Sequence, residues 1–382
     1  MKIGFVLDDR LDKPDGVQQY VTLLGSWLHK QGHDVHYLVG NSPNAQQDNV
    51  HNLGRTVSVR FNKNRMAIPL PASSTMIKQI LHDENFDILH VQMPYSPLLA
   101  GKVINTAGTT TAVVGTFHIL PHGKLSSFGT RSLAILVKKS RSRFDDFMSV
   151  SSAAQKFAKS HFGIESTVIP NVVDLSKYKT GKPLDSLNGR RNIVFLGRFV
   201  ERKGAHYLIA AYETLISKYP IYATTTRLVL CGDGPNRNAL ELQSEHFSKI
   251  GAEILFTGFL KESQKKDYLA SATLAVFPST GGESFGIVLI EAMAAGAGAV
   301  IGGNNPGYST VLGTDPEALI DPTNKHEFSE LLHKYLSNNS ALVSLHDSQQ
   351  KLVQSFDVLH VGPKIVQFYE EALARRRRRG DN

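Results

Sequence analysis

The chain has 382 residues, 41% of them hydrophobic, which is too long for one compact core, so two domains with a ligand cleft between them are expected. One cysteine, Cys231, excludes an internal disulfide, and residues 1–10 show no signal-peptide pattern, so a reducing cytoplasm is the expected home. The most apolar stretch, 288–301, is broken by Glu291 and several glycines, which excludes a membrane-spanning helix. Of the formal net charge of +8, five charges lie in the run 375–379, so the folded body is only mildly basic.

In chain order, Lys2–Leu7 is an apolar strand ending in Asp8 and Asp9. A loop with Pro14 and Gly16 follows, and then Val17, Tyr20, Val21, Leu24, Trp27 and Leu28 at helical spacing. Gly32 ends that helix and Asp34–Val39 resumes a strand, completing one βαβ unit. Further strands are expected at 57–61, Ile88–Val91, Ala112–Phe117, 146–150 and 167–169, giving an α/β domain with a mostly parallel sheet. Pro, Gly, Asn and Asp then crowd 170–189 without periodicity and mark an interdomain linker.

A second set of strands is expected at 192–196, 227–231, 253–257, Leu274–Phe277 and 299–302, with helices at 205–217, 264–271 and 287–295. The reading is therefore two Rossmann-like domains, at 1–180 and 190–360, followed by a C-terminal helix and polyarginine tail at 361–382. The last helix, 362–376, is expected to pack back on the first domain. The arginine run reads as a solvated tail, a nucleic-acid arm or a contact for anionic lipid, at about 1 kcal/mol per basic residue near an anionic leaflet. A second basic stretch, 131–143, reads as an amphipathic helix lying on a membrane or as an ordinary surface helix.

In open parallel sheets ligands bind beyond the carboxyl ends of the strands. Four loops fit that place. Gly16, after the first strand, lacks a dinucleotide fingerprint; it allows either close approach of an acceptor or diphosphate, or a tight turn. After the strand 192–196, Arg198 can bind two phosphate oxygens and Lys203 adds a point charge, while Arg202 reads as surface charge. The loop Gly281-Gly-Glu-Ser-Phe-Gly286 opens a helix, so the N–H groups of Ser284, Phe285, Gly286 and Ile287 can meet a phosphate or a sugar hydroxyl.

Eight residues separate Glu283 from Glu291, about 12 Å if helical. One carboxylate then holds the sugar hydroxyls and the other the ribose, against the alternatives of a capping Glu283 and a solvated Glu291. His118, at the end of 112–117, is expected to face the cleft and stabilise positive charge at the sugar ring or bond a hydroxyl; His90 and His122 read as structural.

These motifs resemble the GT-B retaining glycosyltransferases of family four, most nearly the bacterial phosphatidylinositol mannosyltransferases. The residues that carry the resemblance are Lys2-Ile-Gly-Phe-Val6 with Asp15-Gly-Val-Gln18, Gly115-Thr-Phe-His118, Ile169-Pro-Asn-Val-Val-Asp174 and Phe195-Leu-Gly-Arg198. Arg202-Lys-Gly204 and the stretch from Gly281 to Gly296 complete the set, the last being highly specific. The resemblance implies a GT-B fold and a transfer that retains anomeric configuration without metal or cofactor. It places Arg198 and Lys203 on the departing diphosphate, Glu283 on the donor sugar, Glu291 on the ribose, and Gly16, Gln18 and His118 at the acceptor and reacting centre. The absence of an Asp-x-Asp pair agrees with it.

Two departures stand out. Gln92 replaces a second histidine, and the basic cluster of lipid-modifying relatives is reduced to Lys78. The expected reaction moves mannose or glucose from a GDP or UDP carrier, whose base would be read by backbone near 232–235 and 258–260. The expected acceptor is membrane-linked, such as phosphatidylinositol, at the inner face of the cell membrane. The alternatives are a soluble or cell-wall polysaccharide acceptor, or a non-enzymatic sugar-nucleotide binder. No nucleic-acid partner is expected.

Overall fold

The structure is a computed structural model. It describes the chain except for residues 13–15, 55, 62–63, 70–72, 95, 97, 119–137 and 381–382, and describes 56–61, 64–69, 138–139 and 380 by their backbone. Two compact units are present, Met1–Val172 together with Val358–Asn382, and Val173–Asp357. Among the described residues no helix is long and apolar enough to cross a membrane.

The first unit contains β1 (Lys2–Leu7), β2 (Asp34–Val39), β3 (Val50–Asn52), β4 (Thr56–Phe61), β5 (Asn64–Pro69), β6 (Ile88–Val91), β7 (Ala112–Phe117), β8 (Asp146–Ser149) and β9 (Thr167–Val168). Seven of them form a parallel sheet in the order β3-β2-β1-β6-β7-β8-β9, which reverses direction between β1 and β6. The segment 57–61 is a strand, but it pairs antiparallel with β5 in a separate ribbon and adds nothing to the parallel sheet.

Both faces of this sheet are covered, which is why its strands are apolar throughout instead of alternating with polar residues. Ile3, Phe5 and Leu7 pack with Tyr20, Val21, Leu24 and Leu28 of the helix Gly16–Lys30. Val6, Leu38 and Leu89 pack on the other side with Ile77, Val103 and Ile104 of the helices Ser74–Glu84 and Leu99–Thr106.

The C-terminal helix, Val358–Gly380, belongs to this unit. Val361, Ile365, Phe368, Tyr369 and Ala372, spaced to lie on one helical face, are buried against the β1 side. Gly362 lets it approach the first helix, since a Cβ there would lie 2.6 Å from the Trp27 ring.

The arginine run continues this helix and is not a solvated tail. Arg376 donates to Asp145 Oδ2 at 3.0 Å and to the Arg143 carbonyl at 2.6 Å, Arg379 donates to the Phe144 carbonyl at 3.1 Å, and Arg375 pairs with Asp146. Arg377 and Arg378 are exposed. The Asp145 side chain is fully buried and also accepts from the Val113 N–H at 2.9 Å, so the run is a latch onto this carboxylate.

Of the basic stretch 131–143, residues 131–137 lie outside the described residues. Arg141 donates to the Phe162 and Gly163 carbonyls at 2.6 and 2.7 Å, and Arg143 to those of Ile104 and Ala107. Both thereby satisfy carbonyls left open at the ends of the helices Ser152–Phe162 and Leu99–Thr106. Their guanidinium groups stabilise helix ends.

The second unit contains β10 (Arg191–Leu196), β11 (Thr226–Cys231), β12 (Glu253–Gly258), β13 (Leu274–Phe277), β14 (Ala299–Gly303) and β15 (Leu319–Ile320), all parallel. Their order β12-β11-β10-β13-β14-β15 reverses between β10 and β13. Residues 173–189, expected as a linker, belong to this unit. They form the helix Leu175–Lys179, whose start is capped by Asp174 accepting from the Ser176 N–H at 3.1 Å.

Candidate active site

The loops after β10 and β13 flank the reversal of the second sheet. Gly204 closes the first of them with φ +74°, and a Cβ there would lie 2.0 Å from the Pro278 carbonyl oxygen, so only glycine lets the two loops touch. A further bond joins them, from the Thr280 N–H to the Arg202 carbonyl at 2.9 Å.

Three groups converge on Glu283 Oε1 as a result: Lys203 Nζ at 2.9 Å, Arg202 Nη1 at 2.5 Å and the donating Ser279 hydroxyl at 2.9 Å. Burial works to raise the Glu283 carboxyl, but Lys203 and Arg202 outweigh it and hold the group below the usual carboxylate range. Arg202, read from sequence as surface charge, is thus part of this cluster. Its position beside Lys203 was the available signal. Arg198 is exposed on the loop after β10.

The helix Ile287–Ala294 begins after the β13 loop, and its N-cap Gly286 offers no side-chain cap, so the open N–H groups of Ile287 and its neighbours are available to an anion. Glu283 precedes this helix, so it neither caps it nor stands one helical span from Glu291. Glu291 is on the helix and buried, not solvated. Burial raises its carboxyl above the ordinary range, with Lys265 and the Tyr178 bond acting the other way.

The Tyr178 hydroxyl lies 2.7 Å from Glu291 Oε1 and 3.0 Å from Glu262 Oε1. Tyr178 comes from the segment read as linker, where its sequence context carried no sign of this role. Phe285 is buried with its ring against Phe356 at 5.7 Å, so its side chain belongs to the core and only its backbone is available to a ligand; Ser284 is half-buried. At the sheet edge, the Gly232 N–H bonds the Gly258 carbonyl at 2.9 Å, and the neighbouring Phe259 is 75% exposed.

The first unit builds a neutral counterpart. His118 directly follows β7, is buried, and has Nε2 2.8 Å from Gln92 Oε1, the residue directly after β6. Gln92 Nε2 donates to the His90 carbonyl at 3.3 Å, which turns its oxygen toward His118. His118 Nε2 therefore carries the proton and Nδ1 keeps its lone pair. Burial lowers this imidazole to about 3, so it is neutral at physiological pH. The Tyr20 ring meets it edge-on at 4.9 Å. Gln92, noted in the sequence as a departure, thus holds this histidine.

His90 is structural as expected, fully buried between the Tyr369 hydroxyl at 2.7 Å and the Thr116 hydroxyl at 2.6 Å, whereas His122 lies outside the described residues. Gly16 is exposed at the start of its helix, and Gln18 is buried with Nε2 donating to the Arg10 carbonyl at 3.1 Å. Asp8, not singled out from sequence, is buried after β1, where it accepts from Ser96 and from the Ala100 N–H at 2.7 Å; burial pushes its carboxyl up to about 7. Lys78 is exposed on the helix Ser74–Glu84.

Comparison with known proteins covers both units. Residues 14–177 match the model of Glycosyltransferase Family 4, and residues 180–353 match that of Glycosyl transferases group 1. A phosphatidyl-myo-inositol mannosyltransferase of Propionibacterium freudenreichii is 30% identical, over 97% of this chain and 95% of that protein. One of Mycolicibacterium smegmatis is 27% identical, over 97% and 94%.

Among solved structures, Anabaena HepE in complex with UDP superposes with a TM-score of 0.74 at 17% identity, covering 97% of this chain and 100% of that one. Sucrose-phosphate synthase from Thermosynechococcus elongatus gives 0.71 at 18%, covering 98% and 99%. Two parallel sheets that each reverse their strand order once, with these relatives along nearly the whole chain, show that the protein belongs to the family-four glycosyltransferases and is an enzyme of the GT-B fold.

Proposed function

We propose that the protein transfers a hexose, mannose in the first instance, from a nucleotide diphosphate sugar to phosphatidylinositol or a related membrane-linked acceptor, with retention of configuration and without metal or cofactor. The observation that carries this reading is the convergence of Lys203 and Arg202 on Glu283 beside an uncapped helix start. Lys203, Arg198 and the N–H groups at Ser284, Phe285, Gly286 and Ile287 neutralise the departing diphosphate, the task a metal performs elsewhere. Glu283, held ionised, accepts hydrogen bonds from the sugar hydroxyls, and Glu291 takes the ribose. The exposed Phe259 offers an aromatic face to the base.

In the first unit Gly16, Gln18 and His118 bind the acceptor. A neutral His118 with a free Nδ1 lone pair accepts a hydroxyl proton in a hydrogen bond and cannot serve as an acid at neutral pH. The mannosyltransferase names of the two relatives support the mannosyl and phosphatidylinositol assignment. The protein then works from the cytoplasm, peripherally at the inner face of the membrane.

The test is transfer by the purified chain to phosphatidylinositol vesicles from a donor panel of GDP-mannose, UDP-glucose and UDP-N-acetylglucosamine, with EDTA present. One donor is expected to add a single hexose to the lipid, with the donor's anomeric configuration. Turnover onto soluble acceptors alone would overturn the lipid assignment, and loss of transfer in EDTA would overturn metal independence.

A further inference from the structure

The start of the first parallel sheet, opposite its reversal loops, carries polar residues that the proposed transfer does not use. Asp34 and His36 lie on β2, His51 lies on β3, and Glu84 ends the helix Ser74–Glu84. The register pairs Leu38 with His51, so His36 and His51 project from the same face of the sheet. Their rings are parallel to within 5°, and His36 Nδ1 lies 2.9 Å from His51 Nε2.

On its other side His36 Nε2 bonds Asp34 Oδ1 at 3.1 Å, which fixes the proton there and leaves the Nδ1 lone pair aimed at His51. Glu84 Oε1 is 3.9 Å from His51 Nε2, while Lys2 Nζ takes the other oxygen, Oε2, at 3.0 Å and Asp34 Oδ2 at 3.3 Å. One ligand atom each from His36, His51 and Glu84 fall within 4.8 Å of one another.

We propose that His36, His51 and Glu84 form a site for a divalent transition metal of the zinc class, with water as fourth ligand and Asp34 as the positioning residue on His36. Ligand atoms on a tetrahedral metal with bonds of roughly 2.0–2.1 Å stand about 3.3 Å apart. The two imidazole nitrogens therefore need to part by only a few tenths of an ångström. A carboxylate on the far nitrogen of a ligating histidine is the arrangement that orients the ring and raises its basicity.

His36 is buried, but the His51 and Glu84 side chains are 19% and 24% exposed, which gives an ion a route in. Such an ion ties β2, β3 and the helix Ser74–Glu84 together. The site is structural, and it stands or falls independently of the sugar transfer.

The experiment uses tag-free, chelator-stripped protein titrated with Co²⁺ and then Zn²⁺. One equivalent of Co²⁺ is expected to give the intense visible bands of tetrahedral coordination, Zn²⁺ to abolish them, and Zn²⁺ to raise the melting temperature. His51→Ala and Glu84→Gln should each weaken binding by more than the roughly 10–100-fold that loss of a partner behind a ligand costs. Lack of stoichiometric binding by the unmodified chain would overturn the site, as would His51→Ala binding unchanged. If circular dichroism shows His51→Ala to be unfolded, Glu84→Gln, at a partly exposed position, decides by the same readings.

Discussion

The two sheets reverse at corresponding points, between β1 and β6 and between β10 and β13, yet the groups gathered there differ in kind. In the second unit the cluster is ionic, with two cations on one carboxylate. In the first, a neutral buried histidine after β7 is held by an amide and an aromatic edge, and the buried Asp8 follows β1. A shared backbone topology thus sets where the loops gather, while the side chains of a few loop residues decide whether they offer charge or neutral hydrogen bonding. A further charged cluster of the first unit lies under the C-terminal helix at Asp145.

The largest effect should come from that structural charge. Asp145→Ala leaves Arg376 buried without its carboxylate and is expected to cost about 3–5 kcal/mol, read by urea denaturation, with turnover per folded molecule unchanged. A loss below about 1 kcal/mol would show that the latch is an ordinary surface pairing. Next, Lys203→Ala should lower kcat/KM by about 10²-fold, near 2.7 kcal/mol, while the fold survives. Normal turnover would remove the ionic side of the comparison.

Tyr178→Phe leaves the buried Glu291 short of a hydrogen bond and should destabilise the second unit by about 1–3 kcal/mol, seen as a lower urea midpoint. The smallest effect concerns the neutral side. His90 and His118 have folded values near 3, below the unfolded value of 6.5. The unfolded chain therefore binds their protons first, and the stability they support is present above pH 6.5 and lost as pH falls from there toward 3. His118→Asn should reduce the slope of unfolding free energy against pH in that window by up to about 1.4 kcal/mol per pH unit. An unchanged slope would mean that His118 titrates freely.

Much of the architecture was legible because it rests on local pattern. Apolar runs separated by helical spacing located most strands of both sheets, and the stretch from Gly281 to Gly296 marked the loop and helix that carry Glu283 and Glu291. What was misread depended on distant partners. Residues 57–61 have strand composition but pair in their own ribbon, and the arginine run has the composition of a solvated tail until Asp145 and Asp146 are brought beneath it. Arg202 and Tyr178 carry no periodic signal, because their roles come from carboxylates that are 81 and 113 residues away.

The amino-acid sequence alone determined the α/β class, the doubling of the architecture and the loops that follow the strands, since backbone period, glycine turns and helix starts are properties of neighbouring residues. Only the tertiary structure decided which charges meet, which histidines are neutral and which arginines are already paired. Those outcomes depend on burial and on electrostatic partners that approach through the fold, and neither is encoded in spacing along the chain.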